Sequence, residues 1–305
     1  MTTPRVLVIG GNGFVGSAVC KQAIARGWNV VSISGSGRPF RTQRGHAPAW
    51  TESPRMQWRK ADAFDPATYR DIAAECTAAV HTMGILLESA YKGEKGSTGG
   101  ALAGLAKGWG LSSGANPLAE DGHGGSLTYE RMNRDAALLV AQTFKDVQSQ
   151  AQRSHVPFVY LSAEDIMRPL ISSRYISTKY EAEQSITAMA DDVLRPILMR
   201  PGLMYHPHHR PWTTVPATML DASCHLHKLR TKLKLPIPLP ADLLQSSWAP
   251  TALRPLAGAL VTPPLHVDTV GVAICEAIEN PAIYGVQATA SIRQLAGWPS
   301  ETEAP

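Results

Sequence analysis

The sequence predicts an α/β fold: a doubly wound parallel sheet with a small helical lobe near its C-terminal end. Three observations carry this expectation. Strand-like apolar runs alternate with segments of helical spacing. A glycine-rich turn, GGNGFVG (Gly10–Gly16), joins the first strand to the first helix. The alternation breaks at residues 205–260, where His, Pro, basic and apolar residues mix, and then resumes.

In chain order, RVLVIG (Arg5–Gly10) is a strand, Ser17–Arg26 a helix closed by Gly27, and NVVSIS (Asn29–Ser34) the second strand. Met56–Asp62 alternates weakly as a third strand, Pro66–Ala74 reads as a helix, and Ala78–Thr82 as a fourth strand. Tyr129–Gln148 has the spacing of a long amphipathic helix, Pro157–Ser162 is a strand, Tyr175–Ala190 a helix and Ile197–Arg200 another strand. Leu265–Val267 and Val270–Glu279 give the return of strand and helix. A βαβ rhythm of this kind specifies a parallel, Rossmann-type sheet with helices on both faces. The expected organisation is a dinucleotide-binding core over 1–204, a helical, basic lobe over 205–260, a return to the core over 261–294 and a frayed tail over 295–305. Residues 89–127, rich in Gly, Ser and Ala, read as a long insertion after the fourth strand.

The chain of 305 residues carries 29 Lys+Arg against 25 Asp+Glu, a net charge of +4, which does not point to a nucleic-acid partner. The charge is uneven. Residues 38–60 hold six basic residues against Glu52 alone, and residues 205–260 hold six against Asp221 and Asp242, so two basic segments sit on an acidic body. Four scattered cysteines without a CxxC pair fit a reducing compartment. No run of 18 apolar residues predicts a membrane-spanning helix, and the first strand begins too early to leave a visible presequence.

Gly10, Gly13 and Gly16 have GxxGxxG spacing between a strand and a helix, the setting in which glycines let a backbone approach a pyrophosphate at a helix N-terminus. The turn as a whole, including Asn12, Phe14 and Val15, is therefore expected to hold a nicotinamide dinucleotide. The second strand ends without an acid that would take a ribose 2′-hydroxyl. Ser34, Ser36 and Arg38 stand there instead, hydroxyls and a guanidinium suited to a 2′-phosphate, so NADP(H) is expected over NAD(H). Asp62, after the third strand, is a candidate for the adenine amino group or a plain loop cap. His81, ending the fourth strand, is expected to line the cofactor cleft or pack beside it.

Tyr175 and Lys179 stand four apart on one helix face. Such a pair suits hydride transfer at a carbonyl, with the phenol moving a proton and the ammonium lowering its pKa and holding the ribose. Ser162, at the preceding strand's end, is placed to bond a substrate oxygen, and Asn133 to help position Lys179 or to sit as an ordinary helix amide. His206, His208, His209, His225 and His227 invite a metal reading, but their spacing fixes no coordination geometry and no metal is expected. The lobe interleaves Met219, Leu220, Leu226, Leu229, Leu233 and Leu235 with Lys228, Arg230, Lys232 and Lys234. That pattern suits a membrane surface, the lid of an apolar pocket, or a helix with a solvated face.

These elements, with the strand–turn Arg200-Pro201-Gly202, fall in the order of the short-chain dehydrogenase/reductase superfamily in its extended or atypical form. HTMGILLE (His81–Glu88), NPL (Asn116–Leu118), TYERMN (Thr128–Asn133), YISTKYEAE (Tyr175–Glu183), RPGLM (Arg200–Met204) and IENP (Ile278–Pro281) resemble the fungal mitochondrial short-chain-dehydrogenase-like group of coenzyme Q biosynthesis. That group is similar in turn to the nucleotide-binding accessory subunit of respiratory complex I. The resemblance spans about residues 5–290 and lapses at 89–127 and 205–260. It implies Gly84, Pro201 and Gly202 as further cofactor contacts. It also implies a quinone-type or prenylated substrate, other ubiquinone-biosynthesis proteins as partners, and a place on the matrix side of the mitochondrial inner membrane. The wider group includes both active reductases and subunits that hold NADPH as a structural element, so a catalytic and a scaffolding role are both open.

Overall fold

The computed structural model describes residues 3–86 and 128–299. Seven strands form one parallel sheet: β1 (Arg5–Ile9), β2 (Asn29–Ser34), β3 (Met56–Lys60), β4 (Ala78–His81), β5 (Val156–Leu161), β6 (Leu194–Arg200) and β9 (Gly285–Ala288), in the spatial order β3-β2-β1-β4-β5-β6-β9. Val6 and Val8 of β1 face one layer, while Leu7 and Ile9 face the other. Both faces are covered, which is why the central strands read as continuous apolar runs. The first layer is built on α1 (Phe14–Ala25) and α8 (Val267–Glu279). The second is built on α2 (Arg70–Glu75), α3 (Ala136–Gln150) and α4 (Ser173–Ala188).

Ion pairs cross the first layer from Lys21 to Asp268 at 2.7 Å and from Arg26 to Glu279. A six-residue π-helical turn, Glu130–Asp135, runs into α3. It is tied to α4 by Arg174–Glu130 and Arg134–Glu181, each at 2.6 Å.

After β6 the chain forms β7 (Met204–Tyr205) and enters the lobe, α5 (Thr214–Leu233), α6 (Pro240–Gln245) and α7 (Arg254–Val261), before β8 (Leu265–His266). Three expectations need adjustment. Leu265–Val267 does not rejoin the main sheet: Leu265 and His266 pair with β7 in a separate two-stranded sheet, and Val267 already starts α8. The seventh strand is β9, whose sequence GVQA carries one apolar β-former and sits at the sheet edge, too weak a signal to read. The return then ends in α9 (Thr289–Leu295), anchored by buried Ile292. Trp298 follows, its backbone N–H donating to Arg293 O and its ring beneath the Arg293 guanidinium, so this stretch of the expected tail is tied to α9. The insertion at 89–127 and the tail beyond 299 lie outside the described residues. Among the described residues, no helix is long and apolar enough to cross a membrane, and the four cysteines are free and buried.

Arg195, near the start of β6, is buried and fastens the end of α8 to the sheet. Its guanidinium donates to the carbonyls of Ala277 (3.1 Å), Ile278 (3.0 Å), Asn280 (3.1 Å) and Ile283. A cation at a helix C-terminus meets the helix dipole and the orphan carbonyls together. Arg195→Met would strand these acceptors in the interior. We expect a loss of roughly 2–4 kcal/mol in urea unfolding, with the slope of the transition retained.

Candidate functional site

A cleft of about 390 Å³ opens at the carboxyl ends of β1, β4, β5 and β6. This is where the sheet order reverses between β1 and β4, the place at which doubly wound sheets bind ligands. Of the expected residues, Gly10, Asn12, Gly13, Phe14, Val15, Gly84, Ser162, Tyr175, Lys179, Pro201 and Gly202 line it.

The glycine turn is built for close approach. Gly10 has φ +81°, and the Gly13 N–H donates to Gly10 O at 2.9 Å. A Cβ on Gly16 would lie 2.2 Å from that same carbonyl, so a side chain there would push α1 off the turn. Helix α1 has no side-chain cap at Gly13, which leaves its first amides available to an anion. Asn12 Nδ2 donates to Ser36 Oγ at 3.2 Å, and the Gly37 N–H donates to Ser34 Oγ at 3.1 Å, linking the turn to the end of β2. Arg38 is exposed on this loop. Ser34, Ser36 and Arg38 thus lie together beside the cleft, and these features fit a dinucleotide with its adenosine end over β2. Asp62 lies after β3, and its Oδ1 accepts the Phe64 N–H at 2.9 Å, the geometry of a loop cap.

Ser162 is held by its backbone N–H to Met199 O at 2.8 Å. Ser162 lines the cleft, and its Oγ is buried without a partner, a hydroxyl that a ligand oxygen would satisfy. Lys179 is buried, and its Nζ donates to Leu161 O at 2.8 Å, above the Tyr160 ring. Burial, offset in part by Glu183, holds this ammonium's pKa down to about 7. Asn133 is not a surface amide. It is fully buried in the π-helical turn, accepts the Ile85 N–H at 2.8 Å and donates to Ile85 O at 3.0 Å, while its carbonyl takes the Tyr160 hydroxyl at 2.5 Å. A Cβ on Gly84 would lie 2.7 Å from Asn133 Oδ1 and 3.1 Å from Lys179 Nζ, so Gly84 leaves room for this cluster.

The expected tuning of Tyr175 by Lys179 is not what the arrangement produces. Tyr175 packs edge-on against Tyr129, and its dense surroundings, with Tyr129 adding, push the phenol above its usual value. The ammonium is instead drawn inward by Leu161 O, the Tyr160 face and Glu183. His81 does not line the cleft. It is fully buried beside Tyr160 with both ring nitrogens unpartnered. Burial and the nearby Lys179 lower its pKa to about 3, so it is neutral at physiological pH.

Sequence reasoning missed three contributors. Arg210, from the lobe, lines the cleft with its guanidinium 4.2 Å from the Phe14 ring at the start of α1. Glu164 accepts the Thr289 hydroxyl, and Thr289 Oγ1 accepts the Gly202 N–H at 2.9 Å, so these two fix the Pro201–Gly202 turn. None of the three belongs to a local pattern; only the fold brings them in. His206 packs against His209 and His266 at 4.1 and 4.8 Å between ring centroids, and its Nδ1 accepts the N–H groups of His208 and His209. His225 and His227 lie further along α5. Among the described residues, no group of three or more His, Cys, Asp or Glu could hold a metal ion.

Comparison with known proteins fits this geometry. Residues 6–92 match the NAD dependent epimerase/dehydratase family. Over 289 residues the chain is 30% identical to MIOREX complex component 2 of Saccharomyces cerevisiae, spanning 93% of this chain and 96% of that protein. A chloroplastic protein of Arabidopsis thaliana is 24% identical over 295 residues, 96% of this chain and 77% of its own length. Among solved structures, a short-chain dehydrogenase/reductase family oxidoreductase from Burkholderia thailandensis aligns with a TM-score of 0.54 at 15% identity, over 94% of this chain and 91% of that one. The UDP-glucose 4-epimerase of Thermus thermophilus, in complex with NAD, aligns at 0.50 and 15% identity, over 97% and 85%. At such identities these two structures speak for the fold alone.

The buried lysine makes stability depend on pH. Between the folded pKa of about 7 and the ordinary 10.5, the unfolded chain holds a proton that the folded chain does not, so stability rises with pH across that window. Below it, the full cost of burying the charge is present. Lys179→Met should therefore raise the melting temperature more at about pH 6 than at about pH 9, as read by scanning calorimetry.

Proposed function

Because the chain belongs to the family of yeast MIOREX complex component 2, within the short-chain dehydrogenases/reductases, we propose that it is an NADP(H)-binding oxidoreductase serving mitochondrial coenzyme Q biosynthesis. The observation that carries the reading is a single cleft running from the glycine turn to Ser162, Tyr175 and Lys179, with the Ser162 hydroxyl buried and unpartnered. When bound, the nicotinamide would supply the hydride chemistry. The turn at Gly10–Gly16 would hold the pyrophosphate, and Ser34, Ser36 and Arg38 the adenosine 2′-phosphate. Lys179 lines the cleft, and its buried amine, held at Leu161 O, would be suited to a ribose hydroxyl. Ser162 would orient a substrate oxygen, and Tyr175, kept protonated by its surroundings, would donate a proton to it. Met83, Ile85, Met167, Ile171 and Leu203 give the cleft an apolar wall, which suits a quinone-type or prenylated substrate. The name of the yeast relative, a component of a complex, supports protein partners, here other ubiquinone-biosynthesis proteins, and the sequence resemblance supports the mitochondrial matrix side.

A second reading, a non-catalytic scaffold that holds NADPH, is favoured by one observation: Lys179 bonds Leu161 O while Tyr175 packs on Tyr129 with its phenol raised. Two variants separate the readings. Tyr175→Phe should lower NADPH oxidation with early quinone intermediates by about 100-fold or more while NADPH still binds; unchanged turnover, with ubiquinone synthesis intact in cells, selects the scaffold. Arg38→Ser should weaken NADPH binding at least about tenfold in fluorescence titration and leave NADH unchanged; equal effects on both cofactors would remove the 2′-phosphate role.

A further inference from the structure

The lobe carries a surface that the cleft does not use. In α5, Val215, Met219, Leu226, Leu229 and Leu233 are 51% to 69% exposed. At about 100° per residue they fall within an arc of about 80° on one side of the helix. Ala217 and Cys224, the residues of α5 buried against the body, lie on the opposite side. The helix therefore turns its most apolar stripe outward, the reverse of what packing against the core would select. The apolar run continues past the left-handed cap at Lys234 with exposed Leu235 and Ile237, and the same lobe exposes Leu243 and Trp248.

Cations border the stripe. Arg230 lies at one edge and is ion-paired with Asp242, Lys232 and Lys234 stand beyond the two edges, and Lys228 lies on the opposite side of the helix. The sole acid of the helix, Asp221, pairs with His225 at 3.5 Å. We propose that this face docks the protein on an anionic phospholipid surface, with the apolar side chains in the acyl boundary and the basic groups on headgroup phosphates. Charge selects the occupant. A second copy meeting this face about a two-fold axis would set basic flanks against each other, whereas headgroup phosphates neutralise them. The helix is too charged to cross a bilayer, so it lies along the surface. The inference stands apart from the cofactor reading, since no residue of the cleft takes part.

The test is flotation of the full chain with vesicles of phosphatidylcholine alone or mixed with phosphatidylglycerol. Binding to the mixed vesicles should be at least about tenfold tighter and should weaken with added salt. The variant Met219→Ser/Leu226→Ser/Leu229→Ser should lose at least about tenfold of that affinity, with an unchanged melting temperature because these side chains are exposed. Lys232→Gln with Lys234→Gln, which spares the stripe, should bring the mixed-vesicle affinity down toward that for phosphatidylcholine alone. Failure of the wild-type chain to float, equal binding to both vesicles, or full affinity in either variant would overturn the proposal. So would a wild-type dimer in light scattering that the triple variant abolishes, which would assign the face to a second copy.

Discussion

Burying the Lys179 ammonium under the carboxyl edge of the sheet constrains most of the site. The group needs acceptors that the apolar interior does not offer, and it finds the last carbonyl of β5, the face of Tyr160 and the field of Glu183. Each partner has its own requirement. Glu183 is itself buried and is neutralised by Arg200 at the end of β6. Tyr160 sends its hydroxyl to the Asn133 carbonyl, and Asn133 in turn clasps both backbone groups of Ile85. A π-helical turn is what presents Asn133 in this way, at the point where α3 begins. β4, β5, β6, the π turn and α4 are thereby bound by one polar cluster directly beneath the cleft.

The sheet was legible in the sequence because its central strands are buried on both faces and its helices carry regular apolar spacing. The glycine turn was legible because close backbone approach leaves no alternative residue. β9 and the pairing of β8 with β7 were not, since short edge strands depend on partners rather than on pattern. Within the site, Ser162, Tyr175 and Lys179 could be placed from spacing and order. The burial that sets their chemistry could not, because it depends on Tyr129, Tyr160 and Glu183, residues that carry no catalytic signature of their own. Asn133 read as either a positioner of Lys179 or an ordinary helix amide, and its burial was hidden for the same reason: a π turn leaves no trace in a 3.6-residue period.

The two basic segments meet in space. Gln43 donates to His209 O at 2.6 Å and Phe40 packs edge-on against His209, so the loop after β2 touches the loop that opens the lobe. Arg210 follows at once and reaches Phe14. The loop after β2, the start of α1 and the entrance of the lobe are therefore one contact region.

The layer formed by α1 and α8 joins residues near the two ends of the chain, through Lys21–Asp268, Arg26–Glu279 and a shared apolar core. During synthesis, the glycine turn and its helix emerge long before the segment that covers them. Until residues 267–279 arrive, that face of the sheet is covered only in part, by α1, and the rest of its apolar surface stands open to water. This fold cannot close from its beginning; its last helices complete the layer that its first helix starts. The nascent chain therefore has a long interval in which a chaperone would be the natural cover for that face.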